Sequence, residues 1–203
     1  NGTLTVQSAS TLTTSSSNAL IVGGNAVVDG TLAGKANITA NASVTGAGTV
    51  TMATGTTFTQ NVSADASFGP SSGGSWTFYS LTNQSSAAAA TKVVTGIVGG
   101  GSISVNAAGS WTVGDGTNAG ISLDVKNMAI TDNGTLTIGQ NSTLTSTAAY
   151  ALTVAKALTI SGTISHAAAT AVCAPVIVPS RCRRIAHCTA KQTSATRSEE
   201  RRV

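Results

Sequence analysis

From Val22 onward an apolar side chain returns about every six residues, at Val22, Val28, Leu32, Ile38, Val44, Val50 and Phe58. Apolar and small polar residues alternate along the chain, as in Ile103-Ser-Val105, Ile121-Ser-Leu123-Asp-Val125, Leu152-Thr-Val154 and Leu158-Thr-Ile160. A period of two sends one set of side chains inward and the other to solvent, the pattern of a half-buried strand. The runs are short and are punctuated by residues that accept turn backbones: Gly23-Gly24, Asp29-Gly30, Gly46, Gly48, Gly55, Asp115-Gly116 and Asn133-Gly134. Three such strands close one turn of about 18 residues, and turns stacked at ~4.8 Å build an all-β, parallel β-helix or β-solenoid. Its core is only a few side chains wide, with room for Val, Ile, Leu, Ala and Thr but not for Trp. An aromatic content of 3% agrees with that expectation.

The chain also repeats itself from one end of the patterned region to the other. Asn1-Gly-Thr-Leu-Thr-Val6 returns as Asn133-Gly-Thr-Leu-Thr-Ile138, and Ser10-Thr-Leu-Thr13 as Ser142-Thr-Leu-Thr145. Without a gap, 14 of the 33 positions in 1–33 and 133–165 are identical, an internal repeat at an offset of 132 residues. A smaller echo pairs Gly74-Ser-Trp-Thr77 with Gly109-Ser-Trp-Thr112.

Between about residues 63 and 101 the rhythm falters, with Pro70, Ser71-Ser72-Gly73-Gly74, the aromatic group Trp76, Phe78, Tyr79, and the run Ala87 to Ala90. A lateral loop or one irregular coil is expected there. Trp76 and Phe78 stand two apart on one strand face and read as a hydrophobic plug for that coil rather than a ligand-stacking platform.

The net charge of +4 points to an anionic partner until the charges are located. Residues 1–165 carry four Lys (Lys35, Lys92, Lys126, Lys156), five Asp (Asp29, Asp65, Asp115, Asp124, Asp132), no Arg and no Glu, a balance of 4 − 5 = −1. The patterned region is therefore no nucleic-acid binder. It has no uninterrupted apolar run of membrane-spanning length, and its lack of Cys suits export. Starting at Asn1 inside a strand pattern, the chain reads as an internal fragment.

Catalytic β-helices that degrade acidic polysaccharides need clustered carboxylates, as an acid and base pair or as a calcium site beside a basic residue. Here five Asp stand singly; Asp29 and Asp132 precede Gly or Asn-Gly and read as turn residues. Asp115-Gly-Thr-Asn118 offers oxygens to a cation, but lacks the acidic density of a calcium loop and reads as a plain turn. Gly99-Gly100-Gly101 leads into a strand, so it does not cradle a phosphate at a helix start. A Ser-His-Asp triad would have to borrow His166 or His187. No catalytic, cofactor-binding or metal-binding residue is expected, and the chain is read as no enzyme.

Thr-x-Thr occurs at Thr3-Leu-Thr5, Thr11-Leu-Thr13, Thr49-Val-Thr51, Thr57-Phe-Thr59, Thr135-Leu-Thr137 and Thr143-Leu-Thr145. An ice-binding solenoid needs such pairs once per coil on one face. Successive pairs here are closer together than one coil and should fall on different faces, so the abundance of Thr is attributed to its strand preference at solvent positions.

The strings Asn25-Ala-Val-Val-Asp-Gly-Thr-Leu-Ala-Gly34, Val44-Thr-Gly-Ala-Gly-Thr-Val-Thr51 and Asn133-Gly-Thr-Leu-Thr-Ile-Gly139 resemble passenger regions of bacterial autotransporters and filamentous-haemagglutinin-like adhesins. The resemblance covers most of residues 1–165 and lies in the style of repeat. It implies a right-handed parallel β-helix, secretion, and display outside the bacterial cell with a role in adhesion. The expected function is a structural or adhesive segment that spaces or presents a binding region, with a host glycan, matrix or neighbouring cell as ligand. Edge or end-to-end self-association is expected of its open strands. The alternative reading is a polysaccharide-degrading or glycan-binding β-helix module.

Residues 166–203 differ in kind: the stretch after His166 holds all three Cys, two of three Pro, seven of eleven basic residues and both Glu. The expectation is an unstructured, non-native tail, because Arg197-Ser-Glu-Glu-Arg-Arg-Val203 resembles the translation of a short sequencing adapter. Read as protein, Arg181, Arg183 and Arg184 would suit an anionic surface. Cys173, Cys182, His187 and Cys188 have zinc-ligand chemistry without Cys-x-x-Cys spacing.

Overall fold

The structure, a computed structural model, describes residues 2–87, 90–98, 100–147, 152–166, 172–173 and 176–177. The chain opens with β1 (Leu4–Val6), β2 (Thr11–Thr13) and β3 (Leu20–Val22), one strand for each side of a triangle. The triangle is traced again by β4 (Ala26–Val28), β5 (Thr31–Gly34) and β6 (Ile38–Ala40), then by β7 (Val44–Gly46), β8 (Thr49–Met52) and β9 (Thr57–Val62). The middle of the rod follows with β10 (Ala66–Pro70), β11 (Ser75–Phe78), β12 (Ser80–Ser85), β13 (Lys92–Gly96), β14 (Ser102–Val105) and β15 (Ser110–Val113). Next come β16 (Ile121–Asp124), β17 (Ala129–Asp132), β18 (Thr135–Ile138), β19 (Thr143–Ser146), β20 (Leu152–Val154) and β21 (Leu158–Ile160). Last are β22 (Thr163–His166), β23 (Val172–Cys173) and β24 (Val176–Ile177).

Every third strand stacks on the one before it, giving three eight-stranded, wholly parallel sheets. We call them faces A (β1, β4 and onward), B (β2, β5 and onward) and C (β3, β6 and onward). The expected parallel β-solenoid is thus the fold. The alternation read from the sequence is the burial pattern itself: in β9, Phe58, Gln60 and Val62 point in while Thr57, Thr59 and Asn61 point out.

Coil length departs from expectation. Leu20 stacks under Ile38, Ala26 under Val44 and Leu32 under Val50, one common step along the chain, and the corner bond between Asp29 and Ala47 likewise spans 18 residues. Further along, Phe58 is followed on its column by Leu81 and then by Trp111. The first of these steps is the 23 residues between Gln60 and Asn83, and the second the 30 residues between Ser80 and Ser110. Longer coils enclose a wider cross-section, which must be filled to crystal-like density to remain stable. Phe58, Phe68, Trp76, Phe78 and Trp111 fill it, all essentially inaccessible to solvent. One expectation is corrected by this: the core is not too narrow for Trp. Of the lateral loop or irregular coil expected between residues 63 and 101, the structure has the coil, whose strands β10 to β13 lie in register. Trp76 and Phe78 are core residues there, and ring centroids 5.3 Å (Phe58 and Phe78) and 5.6 Å (Phe68 and Trp76) apart tie neighbouring strands together.

Corners stack as closely as strands. The Gly48 N–H donates to the Val28 carbonyl at 2.8 Å, and a Cβ on Gly48 would overlap the Gly30 carbonyl oxygen. Only glycine lets two turns approach so nearly.

The repeat of residues 1–33 in 133–165 does not return to its starting face. Leu4–Val6 lies on face A and its counterpart Leu136–Ile138 on face C; Thr11–Thr13 moves from B to A, and Leu20–Val22 from C to B. The unit that repeats is a strand with its turn, and the three faces are interchangeable hosts for it. Of the stretch beyond His166, Val172–Cys173 pairs with β20 and Val176–Ile177 with β21. The expectations for 178–203, including Arg181, Cys182, Arg183, Arg184, His187, Cys188 and Arg197 to Val203, lie outside the described residues.

Candidate functional site: the outward columns and the buried polar groups

The carboxylates singled out by sequence are dispersed, and each serves its own corner. Asp29 Oδ1 accepts the Ala47 N–H at 3.1 Å and Asp65 Oδ1 the Val93 N–H at 2.9 Å, so both fasten one coil to the next. Asn25 and Asn37 do the same for Ser43 and Thr57. Asp115 receives the backbone N–H groups of Thr117 (2.9 Å) and Asn118 (3.0 Å) on Oδ1 and the Asn118 amide on Oδ2. Slight burial raises its pKa, but the backbone and side-chain donors of Asn118 and Thr117 outweigh that and leave it lowered. Its oxygens are taken up by the turn, as a plain turn residue's should be. Asp124 accepts the Lys126 N–H at 2.9 Å and pairs with Lys126 Nζ at 2.7 Å. Among the described residues no group of three His, Cys, Asp or Glu is placed to hold a metal.

Asp132 is the exception. It does turn the chain, Oδ1 accepting the Gly134 N–H at 2.8 Å, but its side chain points into the core, on the column between Val105 and Val154. Oδ2 is buried without a hydrogen-bond partner, and burial raises the pKa to about 6 against the pull of the Gly134 N–H. The sequence held the signal: Ile130-Thr-Asp132 alternates, so residue 132 shares the inward side of Ile130.

A second polar feature runs through the core beneath face C. Gln60 Nε2 donates to the Ala42 and Ser67 carbonyls (both 3.0 Å), Asn83 Nδ2 to Gln60 Oε1 (3.1 Å), and Trp111 Nε1 to Asn83 Oδ1 (2.9 Å). The chain of bonds spans three coils and pairs buried donors with buried acceptors, so it joins coils at little desolvation cost. Trp76, by contrast, buries Nε1 without a partner.

Outside, the three faces differ. Thr-x-Thr pairs eight residues apart do fall on different faces, as Thr3-Leu-Thr5, leading into β1, and Thr11–Thr13, which is β2, do; over the whole rod the six pairs fall two to a face, Thr57-Phe-Thr59 and Thr135-Leu-Thr137 both on face C. Yet face C carries a column the sequence reading missed. Thr39 stacks under Thr59, then Thr82, Thr112, Thr137 and Thr159, one per strand for six successive strands. Beside it run Thr57, Ser80, Ser110 and Thr135 at the other outward position. Face B carries as many outward Thr: Thr13, Thr51, Thr77, Thr131 and Thr153 share one column, interrupted by Ala33 and Ser104, and Thr11, Thr31 and Thr49 stand in the column beside it. Face A presents Asp124, the exposed Val93 and Val27.

The chain matches no protein-family model, no curated protein and no solved structure. What fold and side chains define is a class: a three-sided parallel β-solenoid with an aliphatic-to-aromatic core. Among the described residues no helix is long and apolar enough to cross a membrane.

Proposed function

We propose that this chain is a structural segment of a secreted bacterial surface protein, a rod that spaces or presents a binding region away from the cell without catalysing a reaction. The observation that carries it is continuity. All three sheets run through every coil without a reversal, each core column passes from strand to strand, and the Asp residues on the surface are spent on corners and on one ion pair. Such a design adds length at ~4.8 Å per coil, which is what a spacer requires. The passenger-like repeats of Asn25 to Gly34 and Val44 to Thr51 favour an autotransporter or adhesin setting, with secretion and surface display following from it. We leave Arg197 to Val203, with its likeness to a translated adapter, outside the functional unit.

The test displays the full chain between an outer-membrane anchor and a short epitope. Antibody-coated beads should capture these cells several-fold better than cells in which a flexible linker of equal contour replaces the rod. Equal capture, or release of unsaturated or reducing ends from acidic glycans by the purified chain with calcium, rejects the spacer reading.

A further inference from the structure

Among the described residues Asp132 is the one carboxylate buried inside the rod; Asp29, Asp65, Asp115 and Asp124 all serve surface corners. It stands where face B turns into face C, with Val105 before it and Val154 after it on the column. Oδ1 accepts the Gly134 N–H at 2.8 Å, and Oδ2 is buried without a partner. A carboxylate loses far more than a carboxylic acid on leaving water, so a site offering one donor between two valines favours the protonated form. Burial accordingly raises the pKa to about 6, against the pull of the Gly134 N–H.

The elements packed against Asp132 supply no buried counter-charge. β14, β15, β18, β20 and β21 carry no titratable side chain. The corner 155–157, stacked on Asp132 and Asn133, brings Lys156, which is exposed. Cys173 follows Val154 in the register, on β23, and His166 stands on β22 of face A. Asp124 and Lys126 pair with each other at the corner where face A turns into face B.

An ionised Asp132 is stabilised by reaching water, and the two sides of its strand resist this unequally. Toward β14 there are four register pairs, from Ser102 with Ala129 to Val105 with Asp132, and Phe78, Val105 and Trp111 behind them are inaccessible. Toward β20 there are three, from Ile130 with Leu152 to Asp132 with Val154, and Ile160 beyond them is only partly covered. At that corner the Ala155 N–H donates to the Asp132 carbonyl at 2.8 Å, and the Leu136 N–H to the Ala157 carbonyl at 3.0 Å. Parting these two bonds lifts residues 155–157 from above the carboxylate.

We propose that Asp132 is a proton-operated latch on the seam between β17 and β20: protonated, it keeps the corner 155–157 seated, and ionised, it lets that corner lift while the coils before β17 stay packed. This goes beyond the spacer reading and does not depend on it, since the latch concerns how the rod holds itself together. With a folded pKa above the ordinary 3.8, the seated corner is favoured most below pH 4 and loses ground as pH rises through about 6.

Amide hydrogen exchange of the full chain, read by mass spectrometry at pH 4 and pH 8 and corrected for intrinsic rates, measures the opening. Each unit of pKa difference is worth tenfold in the opening equilibrium, so peptides containing Leu136 and Ala155 should open at least ~10-fold more at pH 8. Peptides from Ala26 to Val50 should hold constant. Asp132→Asn and Asp132→Leu each remove the charge, and in either one that folds, the seam should open equally at both pH values. Asp124→Asn, which leaves Asp132 in place, should keep the full difference. A seam as protected at pH 8 as at pH 4 overturns the proposal. So does a rise shared equally by every peptide, which is loss of the whole rod, or a rise that survives in a folded Asp132 variant. If neither variant folds, the contrast between the seam and the Ala26 to Val50 peptides of the unmodified chain decides.

Discussion

The first coils and the middle coils solve one packing problem at two scales. Between β3 and β8 neighbouring coils are offset by 18 residues, as Asn25 and Ser43 are, and Ala26, Val28, Leu32, Ile38, Ala40, Val44 and Val50 fill the section. From β9 to β15 the offset grows, reaching 30 residues between Ser80 and Ser110, and the fill becomes Phe58, Phe68, Trp76, Phe78 and Trp111. Aliphatic side chains such as Val94, Ile103, Val105 and Val113 share the wide coils with these rings, and polar side chains enter where backbone carbonyls remain to be met, as Gln60 does for Ala42 and Ser67. A solenoid is therefore not bound to one coil length.

The sharpest way to break this comparison is to empty a wide coil and a narrow one and compare the losses. Trp111→Ala should cost about 3–5 kcal/mol, because it opens a large cavity and orphans Asn83 Oδ1, whereas Val28→Ala should cost roughly 2 kcal/mol. Urea unfolding monitored by circular dichroism measures both. Equal losses would mean that the wide coils relax around the vacancy and that width does not set the demand for aromatics.

The wide coils also hold the connected chain of polar groups, and Asp132, further along the rod, tests what an unsatisfied one costs. Its folded pKa of about 6 stands above the ordinary value of 3.8, so the folded state holds the proton more tightly than the unfolded one. Stability should be greatest below pH 4, fall as pH rises through about 6, and level off above that. At about 1.36 kcal/mol per unit, and with partial screening by solvent, the loss is on the order of 2 kcal/mol. Melting curves from pH 4 to 8 read it directly, with Asp132→Asn expected to flatten the slope. A slope that survives Asp132→Asn places the titration elsewhere. Asp115, whose pKa is lowered, acts with the opposite sign and only in more acidic solution.

The smallest effect belongs to the surface. Lys126→Ala removes the ion pair to Asp124, both side chains partly solvated, and should cost under about 1 kcal/mol, less in high salt. A larger loss would show that corners, and not the core, carry the difference between coils.

Much of the architecture could be read in advance because it is local. Strand alternation, the turns at Asp29-Gly30 and Asn133-Gly134, and the short three-strand coil all follow from residues within one coil. The inward direction of Asp132 was legible too, from Ile130 two positions before, but the turn signal of Asp132-Asn-Gly masked it. Separation of Thr-x-Thr pairs eight residues apart onto different faces was also correctly inferred, and still missed the column, because most of its members are single Thr beside Ser, Asn or Ala. Thr82, Thr112 and Thr159 carry no Thr-x-Thr signal at all.

By itself, then, the sequence determined the strand, the turn and the choice of inward side, each set by alternation and backbone preference over a few residues. Only the tertiary structure decided which residue lies above which. It stacked Thr39 to Thr159 in line, joined Gln60, Asn83 and Trp111 in one hydrogen-bonded chain, and carried the repeated strand to another face. The physical reason is that contacts between coils join residues at intervals set by how far each turn bulges, from 18 at Asp29 and Ala47 to 30 at Ser80 and Ser110, and a variable interval leaves no period in the chain to read.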